Sequence, residues 1–107
     1  MKTGDIILVP FPFSDLLRKK VRPAVVIAST KDKYEDIIVS AVRSVIPSKL
    51  SANEFVLMPT KINKLRAKSV VKVDRIVTMK RDHIITALGR LSLSELQEFK
   101  TIFRNLV

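Results

Sequence analysis

Cysteine is absent from this 107-residue chain, and histidine occurs once, at His83. Without thiols there is neither a disulfide framework nor a thiolate metal site. A lone imidazole argues equally against a histidine-built metal centre, so neither metal nor cofactor is expected. Long apolar runs are missing too: none approaches the ~20 residues needed to cross a bilayer. The opening "MKTGDIILVPFPF" sets Asp5 ahead of its apolar stretch and offers no small-residue cleavage site, so it does not read as a signal peptide. A cytoplasmic protein without membrane attachment is expected. Acidic residues are also scarce, with ten Asp and Glu against twenty Lys and Arg, a formal net charge of +10. Such an excess favours polyanionic partners through phosphate contacts and counterion release. A basic surface kept for solubility is the alternative, but nucleic acid, or an acidic protein that competes with it, accounts better for this charge density.

Apolar material is plentiful, at 47% of residues, which suits one folded domain spanning residues 1–107. "DIILVPFPF" (5–13) is rich in β-branched and aromatic residues, with Pro10 and Pro12 expected to end regular pairing. A polar, basic loop, "SDLLRKKVR", follows. "PAVVIAS" reads as a buried strand, "TKDKYED" as a charged hairpin connection and "IIVSAVRSVI" (37–46) as another strand. "EFVLMP" is a short strand, "TKINKLRAKS" a loop or short helix, and "SVVKVDRIVTM" (69–79) one or two strands. Closely spaced strands with little helix between them predict a mainly β fold, a small antiparallel sheet or barrel. Only the tail is helical in pattern: Leu93, Leu96, Phe99, Ile102, Phe103 and Leu106 form one apolar stripe, and Ser92 with Glu95 makes a capping box at its start.

Several polar residues stand inside apolar runs: Arg22 at the start of one strand, Arg43-Ser44 in another, Asp74-Arg75 in a third. Alternation alone puts such residues on solvent faces, and that is sufficient for Asp74 and Arg75 taken singly. Arg22 is different, because Pro23 and the buried run behind it hold the guanidinium at the mouth of a strand. Pro23 cannot donate to a ladder, so it is expected at the strand's first residue or on an edge. RNA cleavage without a metal needs such a group. The ribose 2′-OH must lose a proton as it attacks phosphorus, the 5′ oxygen must gain one, and the charge on the phosphoryl oxygens must be stabilised. A guanidinium does the last through forked donors, and a nearby hydroxyl can orient the phosphate or the 2′-OH.

"GDIILVPFPFSDLLRKKVRPAVVIAS" resembles the opening of the MazF/PemK-like toxins, the endoribonuclease half of bacterial type II toxin–antitoxin modules. The matching elements are Gly4-Asp5, the strand with its proline-containing turn, the variable loop 14–21, and Arg-Pro-Ala-Val-Val from Arg22 to Val26. "IIVSAVRSVI" occupies the family's third strand, "VVKVDRIVTM" is similar to its Asp-Gln segment, and "LGRLSLSEL" to the lead into its last helix. The resemblance implies an SH3-like or CcdB-like β-barrel with a C-terminal helix, working as a homodimer. It implies an mRNA interferase, a hydrolase that cuts single-stranded RNA at short sequences without a metal, through a 2′,3′-cyclic phosphate. It assigns the essential arginine to Arg22 and implies an acidic antitoxin as partner. Lys19, Lys20, Lys64, Asp74 and Arg75 are expected to contact RNA, Asp74-Arg75 departing from the family's Asp-Gln in a way that makes the groove more basic.

One departure stands out. Where the family has a catalytic threonine, this sequence has Arg43, with a hydroxyl one place later at Ser44. Neighbouring side chains in a strand point to opposite faces, so Ser44 replaces the threonine only through a bulge or register shift. Arg43 supplies phosphate stabilisation, or the enzyme is weak, or it has lost activity. The alternatives are therefore a non-catalytic RNA- or protein-binding member of the fold, and a gyrase-inhibitor-like toxin. At this chain length, apolar Phe11, Phe13, Leu16 and Leu17 are expected to find cover in a two-fold dimer that also uses the C-terminal helix.

Overall fold

The computed structural model describes residues 1–11 and 20–107, with Phe11 described by its backbone alone. Six strands and one helix follow in order: β1 (Asp5–Phe11), β2 (Lys20–Ser29), β3 (Ile37–Arg43), β4 (Glu54–Leu57), β5 (Ser69–Met79), β6 (Thr86–Arg90) and α1 (Leu93–Arg104). All strands join one antiparallel sheet in the order β4-β5-β3-β2-β1-β6. The mainly β architecture with a terminal helix is the one the sequence predicts.

The sheet is buried on both faces, which is why "AVV" at Ala24–Val26 is apolar without alternation. Ile6, Val25, Val42, Phe55, Leu57, Val71 and Val73 form one cluster with Leu65, Leu91 and Phe99. Ile7, Val9, Ala24, Val26, Ile37, Val39, Ala41 and Met79 form the second, on the other side of the same strands. Curling of the sheet draws its ends together: the Arg90 amide at the end of β6 donates to the Ile62 carbonyl in the β4–β5 loop, at 3.1 Å. Gly89 lies in that contact, where a Cβ would come within 2.3 Å of the Ile62 oxygen. Gly4 is required for a different reason, since its φ of +93° is a left-handed conformation that side chains disfavour. From it the amide donates to Val26 O, and its carbonyl accepts from Leu91 N, tying β2 to the start of the helix.

Helix α1 is capped as expected: Glu95 N donates to Ser92 Oγ at 3.3 Å and Ser92 N to Glu95 Oε1 at 2.8 Å. Leu96, Ile102, Phe103 and Leu106 pack on the first cluster around the buried Phe99. Leu93 does not join them and is 88% exposed. Six residues before Phe99, it stands about 120° around the helix from that buried ring, past the edge of the stripe at Leu96.

Other boundaries differ from expectation. Pro10 does not end pairing, because β1 continues through Pro10↔Val21 and Phe11↔Lys20. Lys20 and Val21 are consequently strand rather than loop. Pro23 is the fourth residue of β2 and pairs with Leu8, but the ladder to β3 begins only at Ala24↔Ala41. On that side β2 is still an edge at Pro23, so the missing N–H falls on a strand not yet paired there. Strand β3 ends at Arg43, short of the expected Ile46. Strand β6, "TALGR", is not signalled by its weak alternation. The segment read as a loop or a short helix is a turn-rich loop.

Candidate functional site

Arg22 and Arg43 end the buried part of two adjacent strands. The last β2–β3 pair is Ala24↔Ala41, and Arg22 and Arg43 each lie two residues beyond it on their strands. The positive charge of Arg22 acts on Arg43, so the two guanidiniums share one neighbourhood. Both side chains are half-buried and both Nε atoms are shielded from solvent. The charge state of Arg43 registers this crowding. Burial first, then the positive charges of Arg75 and Arg22, push its guanidinium below the ordinary value, with Glu54 acting against them. It stays protonated near neutrality, as an arginine does.

Arg75 reaches the pair because β5 is interrupted. Ser40 pairs with Ile76 while the next residue, Ala41, pairs with Lys72, leaving Val73, Asp74 and Arg75 in a bulge. The fully buried Ser40 hydroxyl donates to Val73 O at 2.9 Å and fixes that bulge from inside. Asp74 and Arg75 are exposed and line a shallow depression with Lys72 and Ile76. Beside it, Lys72 Nζ lies 3.1 Å from Glu54 Oε2, with the Glu54 side chain only 7% exposed. The Ser51 backbone amide above all, and then Lys72, hold the Glu54 carboxyl below its usual range. Glu54 thus pairs with Lys72 and also acts on the Arg43 guanidinium.

On the other side of Arg22 an open cavity of about 520 Å³ lies between the start of β2 and the β4–β5 loop. Its floor is aliphatic, from Leu8, Pro23, Val42, Leu65 and Leu88, and its rim carries Lys20, Lys64 and Arg66, with Ser44 and Ser69 between. The loop that presents Lys64 and Arg66 is built around Asn63, which is fully buried. Asn63 Oδ1 accepts from Thr60 N at 2.9 Å and Leu65 N at 3.0 Å, and its Nδ2 donates to Met58 O at 2.8 Å. With Leu65 anchored in the core, the flanking Lys64 and Arg66 are held outward, Lys64 at a φ of +55°.

A family model for PemK-like, MazF-like toxins of type II toxin–antitoxin systems matches residues 2–107. The chain belongs to this toxin family. Among solved structures it is similar to the toxin MazF-mt6 of Mycobacterium tuberculosis, with a TM-score of 0.69 and 17% identity over 94% of this chain and 93% of that one. That likeness is one of fold. No curated protein sequence matches.

For a member of the MazF-like family, the arrangement divides the sequence-selected residues into two groups. Arg22, Ser44, Lys64 and Lys20 share the walls of the cavity. Arg43 is not among its lining residues and interacts instead with Arg22 and Arg75. Arg43 and Ser44 are thus separated as strand alternation requires, Ser44 being exposed just past the end of β3. Asp74 and Arg75 lie in their own depression, and Lys19 lies outside the described residues. Arg66, Glu54 and Lys72 were not singled out beforehand. Arg66 was signalled by the charge–apolar–charge pattern Lys64-Leu65-Arg66, but the Glu54–Lys72 pairing depends on a strand register invisible in sequence. Among the described residues no group of three or more His, Cys, Asp or Glu side chains could hold a metal ion. No described helix is long and apolar enough to cross a membrane.

Proposed function

We propose that this toxin-family chain is an endoribonuclease that cleaves single-stranded RNA by internal attack of the ribose 2′-OH, with Arg22 and Arg43 as the phosphate-stabilising pair. The observation that carries this reading is that Arg22 and Arg43 lie just beyond the last β2–β3 pair, with Arg22 and Arg75 both close enough to act on Arg43. Guanidiniums grouped in a half-buried place match a phosphodiester through their forked donors, and the charge they face grows as the 2′ oxygen bonds to phosphorus.

In this mechanism the 2′-OH gives its proton to water and bonds to phosphorus, and the bond to the 5′ oxygen breaks. That oxygen takes a proton from water, leaving a 2′,3′-cyclic phosphate on one fragment and a 5′-hydroxyl on the other. Arg22 and Arg43 donate to the non-bridging oxygens throughout, and the Ser44 hydroxyl, on the cavity side of Arg22, orients the ribose next to that phosphate. Lys20, Lys64 and Arg66 hold neighbouring phosphates. Orientation and electrostatics supply the rate, because no group assigned here is a good base at neutral pH.

As a toxin of this class, the protein works as a homodimer and is held inactive by an acidic antitoxin segment. That segment covers Lys19, Lys20, Arg22 and Arg75 and competes with RNA for them. A second reading, a binder without catalysis, is favoured by one feature, the arginine at the threonine position. Incubating purified protein with a long RNA in EDTA and mapping the ends separates the two. Discrete cuts ending in cyclic phosphate support the enzyme, and intact RNA retained on the protein supports the binder.

A further inference from the structure

A carboxylate on a phosphate-binding face works against the binding, so the place of Glu54 calls for a reason. Strand pairing runs Glu54↔Lys72 between β4 and β5, and Lys72↔Ala41 between β5 and β3. Paired residues share a face, as do residues two apart along a strand, so Glu54, Lys72 and Arg43 belong to one side of the sheet. Two strand spacings, about 10 Å, separate β4 from β3. That is close to the Debye length of about 10 Å at 0.1 M salt, and charges in partly buried places are screened less.

Glu54 is also fixed. The Ser51 amide donates to its Oε1 at 2.9 Å, Lys72 Nζ lies 3.1 Å from its Oε2, and the side chain is only 7% exposed. The Ser51 amide above all, and then Lys72, favour its ionised form. Buried beside Lys72, the carboxylate meets no ligand directly and acts through its field.

We infer that Glu54 is a specificity-determining residue, whose fixed negative charge favours the singly charged phosphodiester inside an RNA strand over doubly charged terminal phosphates. This rests on the reading that this face binds RNA phosphate. A phosphate monoester approaches two negative charges above its second pKa of about 6, whereas a diester carries one. Lys72, Arg75 and Arg43 by themselves would attract the dianion more strongly, and free nucleotides and inorganic phosphate would compete with RNA. Repulsion from Glu54 is likewise larger for the dianion and offsets that advantage. A field acts without contact, so the effect does not depend on which cation touches the phosphate.

The test compares two probes at about pH 8, where the monoester is dianionic, and at one low ionic strength. One is a dinucleoside phosphate with a single internal diester, and the other is the matching nucleoside 3′-monophosphate. Both carry 2′-O-methyl riboses, which cannot be cleaved by internal attack. Glu54→Gln keeps the shape and an acceptor for the Ser51 amide but removes the charge. It is expected to raise the monoester-to-diester affinity ratio about threefold, and Glu54→Met, a second neutral variant, to do the same. Glu54→Asp keeps the charge and is expected to keep the wild-type ratio, although its shorter side chain disturbs the contacts. Asp32→Asn removes one charge in the β2–β3 loop, beyond Ser29 at the other end of β2 from Arg22. At about 20 Å or more along the strand, it is expected to leave the ratio unchanged. An unchanged ratio in both neutral variants overturns the inference. So does an equal rise in Glu54→Asp, which would make the role structural, or in Asp32→Asn, which would make it one of net charge. Wild-type protein that binds neither probe overturns the phosphate reading as well, whereas an unchanged ratio leaves that reading standing.

Discussion

Gly89 meets the backbone of Ile62 so closely that a Cβ at position 89 would stand 2.3 Å from the Ile62 carbonyl oxygen and 2.7 Å from that of Asn63. Both obstacles are backbone, and Ile62 O also accepts the Arg90 amide that ties β6 to the β4–β5 loop. Gly89→Ala is therefore expected to force the loop away from β6. Overpacking of this kind costs about 1–3 kcal/mol. Chemical denaturation should show the loss, and an unchanged midpoint would mean that the loop gives way freely.

Asn63 governs the same loop from inside. Replacing it with alanine strands the Thr60 and Leu65 amides and the Met58 carbonyl that its side chain now satisfies. Only the Leu65 amide lies in a fully buried bond, and an unsatisfied buried group costs about 1–3 kcal/mol, so Asn63→Ala is expected to destabilise the fold by about that amount. Faster amide exchange at Leu65 than in wild type is the local signature, and unaltered exchange there would count against a structural role for Asn63.

Glu54 gives the protein a dependence on acid. Its carboxyl is held below the ordinary value of 4.5, chiefly by the Ser51 amide and then by Lys72. The folded state therefore binds this proton less readily than the unfolded chain. The resulting stabilisation is complete above the unfolded value and is lost as pH falls through the lower folded one. Asp32, lowered first by the Thr30 hydroxyl, has the same sign in the exposed β2–β3 loop. Glu54→Gln is expected to narrow the stability difference between neutral and acidic pH, leaving the part due to Asp32. An identical acid profile in the variant would show that the Glu54 pairing contributes nothing.

Much of this fold can be read directly from residue patterns. Five of the six strands and the capped helix follow from apolar runs, alternation and the Ser92–Glu95 spacing, all local signals. Strand β6 has no such signal, because "TALGR" is held by pairing with β1 rather than by its own composition. Pro10 looked like a terminator, yet it lies within β1, paired with Val21. Arg22 stood out in the sequence because Pro23 and a buried strand follow it. Its nearness to Arg43 did not, since that depends on the β2–β3 register. Arg75 joins them only because three residues of β5 bulge out beside Ser40, and no sequence pattern announces the bulge.

Assembly and control can be examined together. A homodimer is expected by sedimentation at tens of micromolar, a rough range for such affinities, and a stoichiometric acidic antitoxin is expected to abolish RNA cleavage. The exposed apolar side chains Val21 and Met58 are available for such contacts. A monomer at those concentrations, or cleavage undiminished by antitoxin excess, would remove the corresponding half of the proposal.

Arg43 distinguishes a working site from a degenerate one. If its guanidinium shares the phosphate charge with Arg22, Arg43→Thr lowers cleavage, and the proposed mechanism expects this outcome. A gain in cleavage on the same change would mean that Arg43 obstructs the site. Arg22→Lys is expected to recover little, because an ammonium cannot make the forked contact. Lys64→Ala should instead weaken binding evenly across sequences and flatten its salt dependence.

The most direct measurement is the rate of RNA cleavage in EDTA by Arg22→Ala beside wild type, with binding of a 2′-O-methyl strand measured in parallel. Loss of one transition-state donor lowers rates by about 10²–10³ in comparable sites. That loss is expected here, with affinity for the uncleavable strand reduced only slightly. An Arg22→Ala protein that cuts RNA at the wild-type rate contradicts the account, whatever Arg43 does.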